Sequence, residues 1–207
     1  MKDKFLRLRW AAVIGIFYLL VPLPLSAGAP TDQLRTTVDK VLSILKNPEL
    51  RSEDKKKERR EQLRAVIYPG FDFAEMAKRS LGSHWSRRTP QEQQEFVKLF
   101  ADLLESAYVN KIESYNGEKI VYSNEKQEKD SAEVFTKVVA KKGEEFSINY
   151  KLHLAGAEWK VYDILVENIS LVNNYRSQFN RILANASFDE LLRKLQGKTS
   201  EIKGVKG

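Results

Sequence analysis

Apolar positions along the chain fall first at helical spacing, then in strict alternation, then at helical spacing again. Thr31 to Lys46 places Leu34, Val38, Val41, Leu42 and Leu45 on one face, and Asn47-Pro48 stops that helix. Ser52 to Ile67 begins with charge and carries Leu63, Val66 and Ile67 on its buried end. Pro69-Gly70 turns the chain; Asp72, with Glu75 three residues on, caps a short helix that ends at Leu81-Gly82. The longest pattern runs from Thr89 to about Tyr115. Thr89-Pro90-Gln91-Glu92 opens it with a capping box and a proline at the first helical position. Its apolar residues, from Phe96 to Tyr115, cover roughly 200° of the circumference, against the about 100° that a surface helix needs. This helix is therefore expected to meet apolar material on two sides, one of them a sheet and the other more protein or a carried molecule.

Asn116-Gly117 marks a turn, and four strands are predicted after it: Lys119 to Asn124, Ala132 to Ala140, Glu145 to Leu154 and Glu158 to Val166. In the second, Ala132, Val134, Thr136 and Val138 share a face. In the third, Phe146, Ile148, Tyr150, Leu152 and Leu154 point inward and Ser147, Asn149, Lys151 and His153 outward. The short connections Lys141-Lys142-Gly143 and Ala155-Gly156-Ala157 make neighbours antiparallel. The fourth strand reads as apolar on both faces, Trp159 and Val161 on one and Tyr162, Ile164 and Val166 on the other, as if covered twice. Helices return at Leu171 to Ala184 and after a second capping box, Ser187-Phe188-Asp189-Glu190. The expected fold is α+β: a four-stranded antiparallel meander packed by helices from both ends of the chain.

Composition adds a leader. Lys2, Lys4, Arg7 and Arg9 precede an apolar run from Trp10 to Val21 and the small residues Ser26-Ala27-Gly28-Ala29. That is the order of a secretory signal peptide over residues 1–29, with cleavage after Ala27 or Ala29. The run is shorter than the roughly 20 residues a membrane span needs. Residues 30–197 are then a single domain, and residues 198–207 a flexible tail. The leader takes with it a net +3, which leaves about +4 of the formal +7 on the mature chain, a mild surface charge that argues against nucleic acid. The chain has no cysteine, so packing alone holds it.

Little points to catalysis. Two histidines, His84 and His153, and no cysteine give no metal-ligand spacing, and no glycine-rich phosphate loop is present. Asp163 is either a hydrogen-bonded structural carboxylate near a strand end or the base of a small cone-fold enzyme. The basic stretch Lys55 to Arg64 is either a solvated helix face laced with i,i+4 pairs or a docking surface for an anionic partner. Arg176, beside Tyr175, is a surface arginine or a phosphate ligand.

Several stretches together resemble one family, the periplasmic phospholipid-binding proteins of the Mla pathway, also called the toluene-tolerance auxiliary (MlaC-like) family. They are Phe71-Asp72-Phe73, Leu81-Gly82 with Trp85, Gln91 to Phe100, Trp159-Lys160-Val161-Tyr162-Asp163, Val166-Glu167, Ile169-Ser170-Leu171-Val172 and Tyr175-Arg176-Ser177-Gln178-Phe179. The resemblance covers roughly residues 31–197. One departure is Asn168, where the family has glycine after the Val-Glu pair; asparagine tolerates the left-handed backbone such a turn needs.

The resemblance implies a helix–sheet domain enclosing an apolar lipid cavity. It implies a monomeric periplasmic carrier, not an enzyme, with no cofactor and bound phospholipid as cargo. It also implies partners at both membranes: an inner-membrane ABC transporter with its substrate-binding-domain ring, and an outer-membrane lipoprotein–porin complex. The expected lining is Trp85, Phe100, Leu103 and Tyr108, facing Ile148, Tyr150, Leu152, Val161 and Ile164, with Tyr175 and Phe179 closing one side. The alternatives are an adaptor of an ABC transporter that carries no lipid, and the enzyme built on Asp163.

Overall fold

The computed structural model describes residues 29–204; the expected leader, apart from Ala29, lies outside them. Six helices and five strands follow in the order α1 (Pro30–Lys46), α2 (Lys56–Ile67), α3 (Phe73–Leu81), α4 (Pro90–Glu113), β1 (Lys119–Glu128), β2 (Ser131–Val139), β3 (Glu145–Ala155), β4 (Glu158–Val166), β5 (Ile169–Ser170), α5 (Leu171–Leu183) and α6 (Phe188–Gly204). The helix starts follow local chemistry. Thr89 Oγ1 accepts from Glu92 N and the Glu92 carboxylate accepts from Thr89 N, closing the box that opens α4. Asp72 Oδ1 accepts from Glu75 N at 2.8 Å to start α3, and Ser187 Oγ accepts from Glu190 N at the start of α6. The last helix runs to Gly204, through residues whose polar composition reads as a tail.

The sheet is an antiparallel meander in sequential order, with five strands rather than four. The added strand is only Ile169–Ser170, paired with Val166 and Leu165 across a turn in which Glu167 and Asn168 both have positive φ. A pair of residues is too short to show alternation, which is why the pattern does not announce it. Asn168 does adopt the left-handed backbone (φ +63°).

A second correction concerns β4. Its pairing with β3 shifts between Lys151 and Leu152, so Tyr162 is an extra residue in a bulge. Trp159 lies opposite Leu154, Val161 opposite Leu152, Ile164 opposite Tyr150 and Val166 opposite Ile148. Direct cross-strand partners share a face. Trp159, Val161, Ile164 and Val166 of β4 therefore lie on one face, together with Ala132, Val134, Thr136 and Val138 of β2, whereas alternation alone puts Ile164 and Val166 on the face of Tyr162. Tyr162 packs toward the helical cluster and Leu165, opposite Asn149, lies on the other face, so the strand does carry apolar residues on both. The opposite face carries Asn149, Lys151, His153 and Asp163. Asn149 is buried there, and His153 is only half-exposed, with Nε2 2.9 Å from Asp72 Oδ2, where alternation alone reads both as solvent-facing.

The interior forms two clusters. Helices α3, α4, α5 and α6 enclose Met76, Leu81, Phe96, Phe100, Leu103, Val172, Tyr175, Phe179, Phe188 and Leu191. Helix α1 lies on the apolar face of the sheet, where Leu34 packs with Ala132, Val134, Leu152, Trp159 and Val161. Phe71 packs against both. The wide arc of α4 is spent mainly on other helices: it packs on α3 and α6, not broadly on the sheet.

Candidate functional site

The apolar face of the sheet is not sealed along its whole length. Leu152 and Val161 are 1% and 2% exposed beneath α1. Tyr150 and Ile164, one row further along, are half-buried; Ile148 follows, also half-buried, and then come Val166 and Phe146, 43% and 40% exposed. On β3 and β4 exposure thus rises from the Leu152 and Val161 row to the Phe146 end, while on β2 Val134, Thr136 and Val138 of the same face stay buried at 0%, 1% and 8%. From Phe146 to Leu152 the strand spans about 20 Å, at roughly 3.4 Å per residue.

The helices above this trough are pinned at its ends. At the closed end Gln33 Oε1 accepts from Trp159 N at 2.8 Å, and Thr31 N donates to the Glu125 carboxylate at 2.8 Å. At the open end Lys46, the last residue of α1, sits over the Tyr115 ring beyond α4, and Lys141 donates to Asn116 across from the β2–β3 turn. Helix α2 packs on α1 and is tied to α4 by ion pairs. Glu113 takes Arg59 at 2.8 Å and Arg60 at 2.7 Å, and Arg64 pairs with Glu105, which also accepts from the Tyr68 hydroxyl. Burial raises the Glu113 pKa, but the hydrogen bonds from Arg60 and Arg59 outweigh it and hold the carboxyl below its ordinary value. The C-terminal half of α4 is thereby held on the α1 side of the sheet. Tyr108 and Ile112 on that half, Tyr115 just beyond it, and Val41, Leu42 and Leu45 continuing the α1 stripe are all only half-buried.

Tyrosines mark the trough. Burial pushes the Tyr150 hydroxyl well above the ordinary tyrosine range, yet the side chain is only half-buried: it is enclosed by protein without being packed on every side. Burial pushes Tyr122, beside it on β1, up to about 12, and its hydroxyl is buried with no hydrogen-bond partner among the described residues. Tyr108, against the helical cluster, is raised as well, again by burial.

The expected lining residues divide. Ile148, Tyr150 and Ile164 stand along the trough with surface to spare, whereas Tyr108, half-buried on α4, packs against the helical cluster. Leu152 and Val161 form its closed end. Phe100, Leu103, Tyr175 and Phe179 lie instead in the helical cluster, where Phe100 meets Tyr175 and Phe179 edge-on at 5.2 and 5.7 Å. Trp85 packs against that cluster from the polar side of the sheet. The trough also draws on residues outside the expected lining: Val138, Val166 and Tyr122 from the sheet and the end of the α1 stripe. The signal for β4 was present, because its apolar residues step by two, then three, then two, which is the spacing of a bulge.

Asp163 is structural in its contacts. Its carboxylate accepts from Ser170 Oγ at 2.6 Å and from Val172 N at 3.0 Å, and so fixes the start of α5. No group of three acidic or histidine side chains placed to hold a metal occurs among the described residues. The basic stretch on α2 is largely neutralised by the acids of α4 and by local pairs, the first of the two readings its composition left open. A hollow of about 580 Å³ between α1 and α2 has mixed walls, with Leu42 and Ile44 among Asp39, Ser43, Lys46, Asn47 and Gln62. No helix among the described residues is long and apolar enough to cross a membrane.

Residues 35–197 match the family described as MlaC protein. The chain is 28% identical over 170 residues to the toluene tolerance protein Ttg2D of Pseudomonas putida, covering 80% of this chain and 79% of that one. It is 21% identical over 189 residues to the intermembrane phospholipid transport system binding protein MlaC of Haemophilus influenzae, covering 89% and 88%. Among solved structures, the phospholipid-binding protein of Ralstonia solanacearum in complex with a phospholipid superposes with a TM-score of 0.75 at 26% identity, over 86% of this chain and 99% of that one. With a sheet and helix set shared with a phospholipid-binding protein, and a family match over most of its length, this chain belongs to the MlaC family.

Proposed function

We propose that the protein is a periplasmic carrier that holds the acyl chains of a phospholipid in the trough between the sheet and helices α1 and α4, and moves them between membrane complexes of the Mla type. One observation supports this above the rest: along β3 and β4 the apolar face is closed at Leu152 and Val161 and progressively opened toward Phe146 and Val166, with β2 forming its buried side. An ordinary core has no reason to leave such a gradient. A diacyl lipid has about 30 methylenes, whose exposure to water costs on the order of 24 kcal/mol at ~0.8 kcal/mol each. A carrier must cover most of that surface. The trough, about 20 Å long, suits a chain that fills one leaflet of a hydrocarbon core, about 15 Å. The head group then stays at the open end, near solvent, and binding discriminates weakly among chains. The relatives named for phospholipid binding and intermembrane phospholipid transport support the cargo class. The proposed partners are the inner-membrane transporter with its ring of substrate-binding domains and the outer-membrane lipoprotein–porin complex.

Native mass spectrometry of the mature protein from periplasm, with organic extraction, tests the reading. One phospholipid per chain is the expected result. A clean apo mass with no uptake from liposomes would overturn it and return weight to the adaptor reading.

A further inference from the structure

On the face of the sheet opposite the trough lies a groove of about 410 Å³ between α3, the turn after it, and α5. Four cations line it: Lys78 and Arg79 from α3, Lys151 from β3 and Arg176 from α5. Against them stands Asp163, whose oxygens are already engaged by Ser170 and Val172. Glu75 takes both Lys78 (3.6 Å) and Arg79 (2.8 Å). Lys151 and Arg176 have no ion pair among the described residues, although Lys151 is half-buried and lies opposite Asp163 in the ladder. Asp163 is not within ion-pair distance of Lys151 and its oxygens are taken by Ser170 and Val172, so a half-buried ammonium here is favoured by a further carboxylate.

Arg176 is exposed, on the rim of the groove. It lies across Gly82, where an added Cβ would come within 2.8 Å of its Nε; Gly82 also has φ +55°, so the turn and the close approach both call for glycine. Trp85 and Tyr162 form the aromatic walls, and Arg79 stacks 4.2 Å over the Tyr162 ring. Tryptophan, tyrosine and arginine are the residue types that dominate binding energy at protein interfaces. A membrane surface would meet a broad basic face, not a concave groove with aromatic walls.

We infer that this groove docks an acidic segment of a protein partner, its carboxylates meeting Arg176 and Lys151. This rests on the carrier reading, which requires a partner for loading and delivery. It also moves the docking surface away from the basic run on α2, whose charges α4 largely consumes. Because Lys151 and Tyr150 are neighbours on opposite faces of β3, the partner would sit back to back with the cargo, leaving the open end of the trough clear.

The experiment is biolayer interferometry of the lipid-loaded mature protein against the cognate inner-membrane transporter in nanodiscs and the cognate outer-membrane complex in detergent. The expected result is binding to at least one complex that weakens with salt and falls at least 10-fold in Arg176→Glu and in Lys151→Glu. Lys57→Glu, the same charge change at a side chain 89% exposed on α2, should leave it unchanged. Lipid content and Tm check folding, and Arg176→Gln removes the charge at similar length if the glutamate variant misfolds. Wild-type binding that the groove variants leave intact would overturn the assignment, as would loss confined to anionic protein-free vesicles, which would make the groove a membrane contact. If wild type binds neither complex, the partner part of the carrier reading fails, and the groove assignment with it.

Discussion

The two apolar clusters of this molecule are built from similar residues and finished differently. In the helical cluster Phe96, Phe100 and Phe179 are nearly inaccessible and stack or meet edge-on within 6 Å of one another. In the sheet cluster a sealed end gives way to half-buried Tyr150, Ile164 and Ile148 and then to exposed Phe146 and Val166. The first cluster is a core in the ordinary sense, close-packed on every side. The second is covered only in part by the described residues, which is what the proposed cargo site requires. The difference teaches that hydrophobicity alone does not separate a closed core from a candidate site; the completeness of burial does.

The largest effect should come from the closed cluster. Phe100→Ala is expected to cost about 3–5 kcal/mol in urea unfolding, as other large-to-small aromatic core changes do. Any lipid lost should track the unfolded fraction. The same cluster carries Tyr175, pushed up to about 12 by burial. A tyrosine whose pKa is raised in the folded state contributes stability that is fully present below its ordinary value near 10 and is lost as pH climbs from there through 12. Stability should therefore fall above pH 10, by up to about 2–3 kcal/mol per such group, and Tyr175→Phe should flatten that fall in a pH series of urea midpoints.

Next in size is the tie that holds α4 over the trough. Glu113→Gln leaves Arg59 and Arg60 without their shared carboxylate and is expected to cost about 2 kcal/mol. Its carboxyl is held below the ordinary value near 4.5, so the contribution is present above that value and disappears as pH falls through the folded pKa. Loss of the tie should also loosen α2 on α4, seen as faster amide exchange in Arg59 to Arg64 with α3 and α6 unchanged.

Much of this contrast could be anticipated from sequence, and the misses have causes. The capping box at Thr89 and Glu92 and the Asp72 cap are local signals, and each appears in the structure. The third strand, β3, forms as its alternation predicts, but its burial does not follow that alternation, with Asn149 buried and Phe146 exposed. The bulge at Tyr162 is visible as a change of phase in the apolar spacing, but a one-residue phase change reads equally as a strand covered on both sides. Phe100, Leu103, Tyr175 and Phe179 look the same in sequence as Ile148 and Tyr150, because helical or strand spacing tells which face is apolar and not what covers it. Arg59 and Arg60 were open to two readings because the carboxylate that neutralises them lies some fifty residues away on α4. Only the tertiary arrangement separates them from Arg176, which remains unpaired among the described residues.

The smallest effect on stability should accompany the largest effect on cargo. Ile148 lies on the row between Tyr150 and Phe146, opposite Thr136 and Val166, and belongs to neither packed cluster. Ile148→Trp therefore adds volume where there is room, and its unfolding free energy should change by less than about 1 kcal/mol, unlike overpacking of a closed core at about 1–3. The added indole should occupy the space of several methylenes at the middle of the trough, so phospholipid per chain by native mass spectrometry should fall by at least half, with shorter-chain lipids retained best. Leu103→Trp is the matched control. At 1% exposure in the helical cluster it should destabilise the fold, while whatever remains folded keeps its lipid. If Ile148→Trp were as costly to stability as Leu103→Trp, the sheet face would be a closed core after all and the trough would not be a site. If it were harmless to both stability and lipid content, the acyl chains would have to lie elsewhere, and the half-buried row would be no more than an unfinished edge of the sheet.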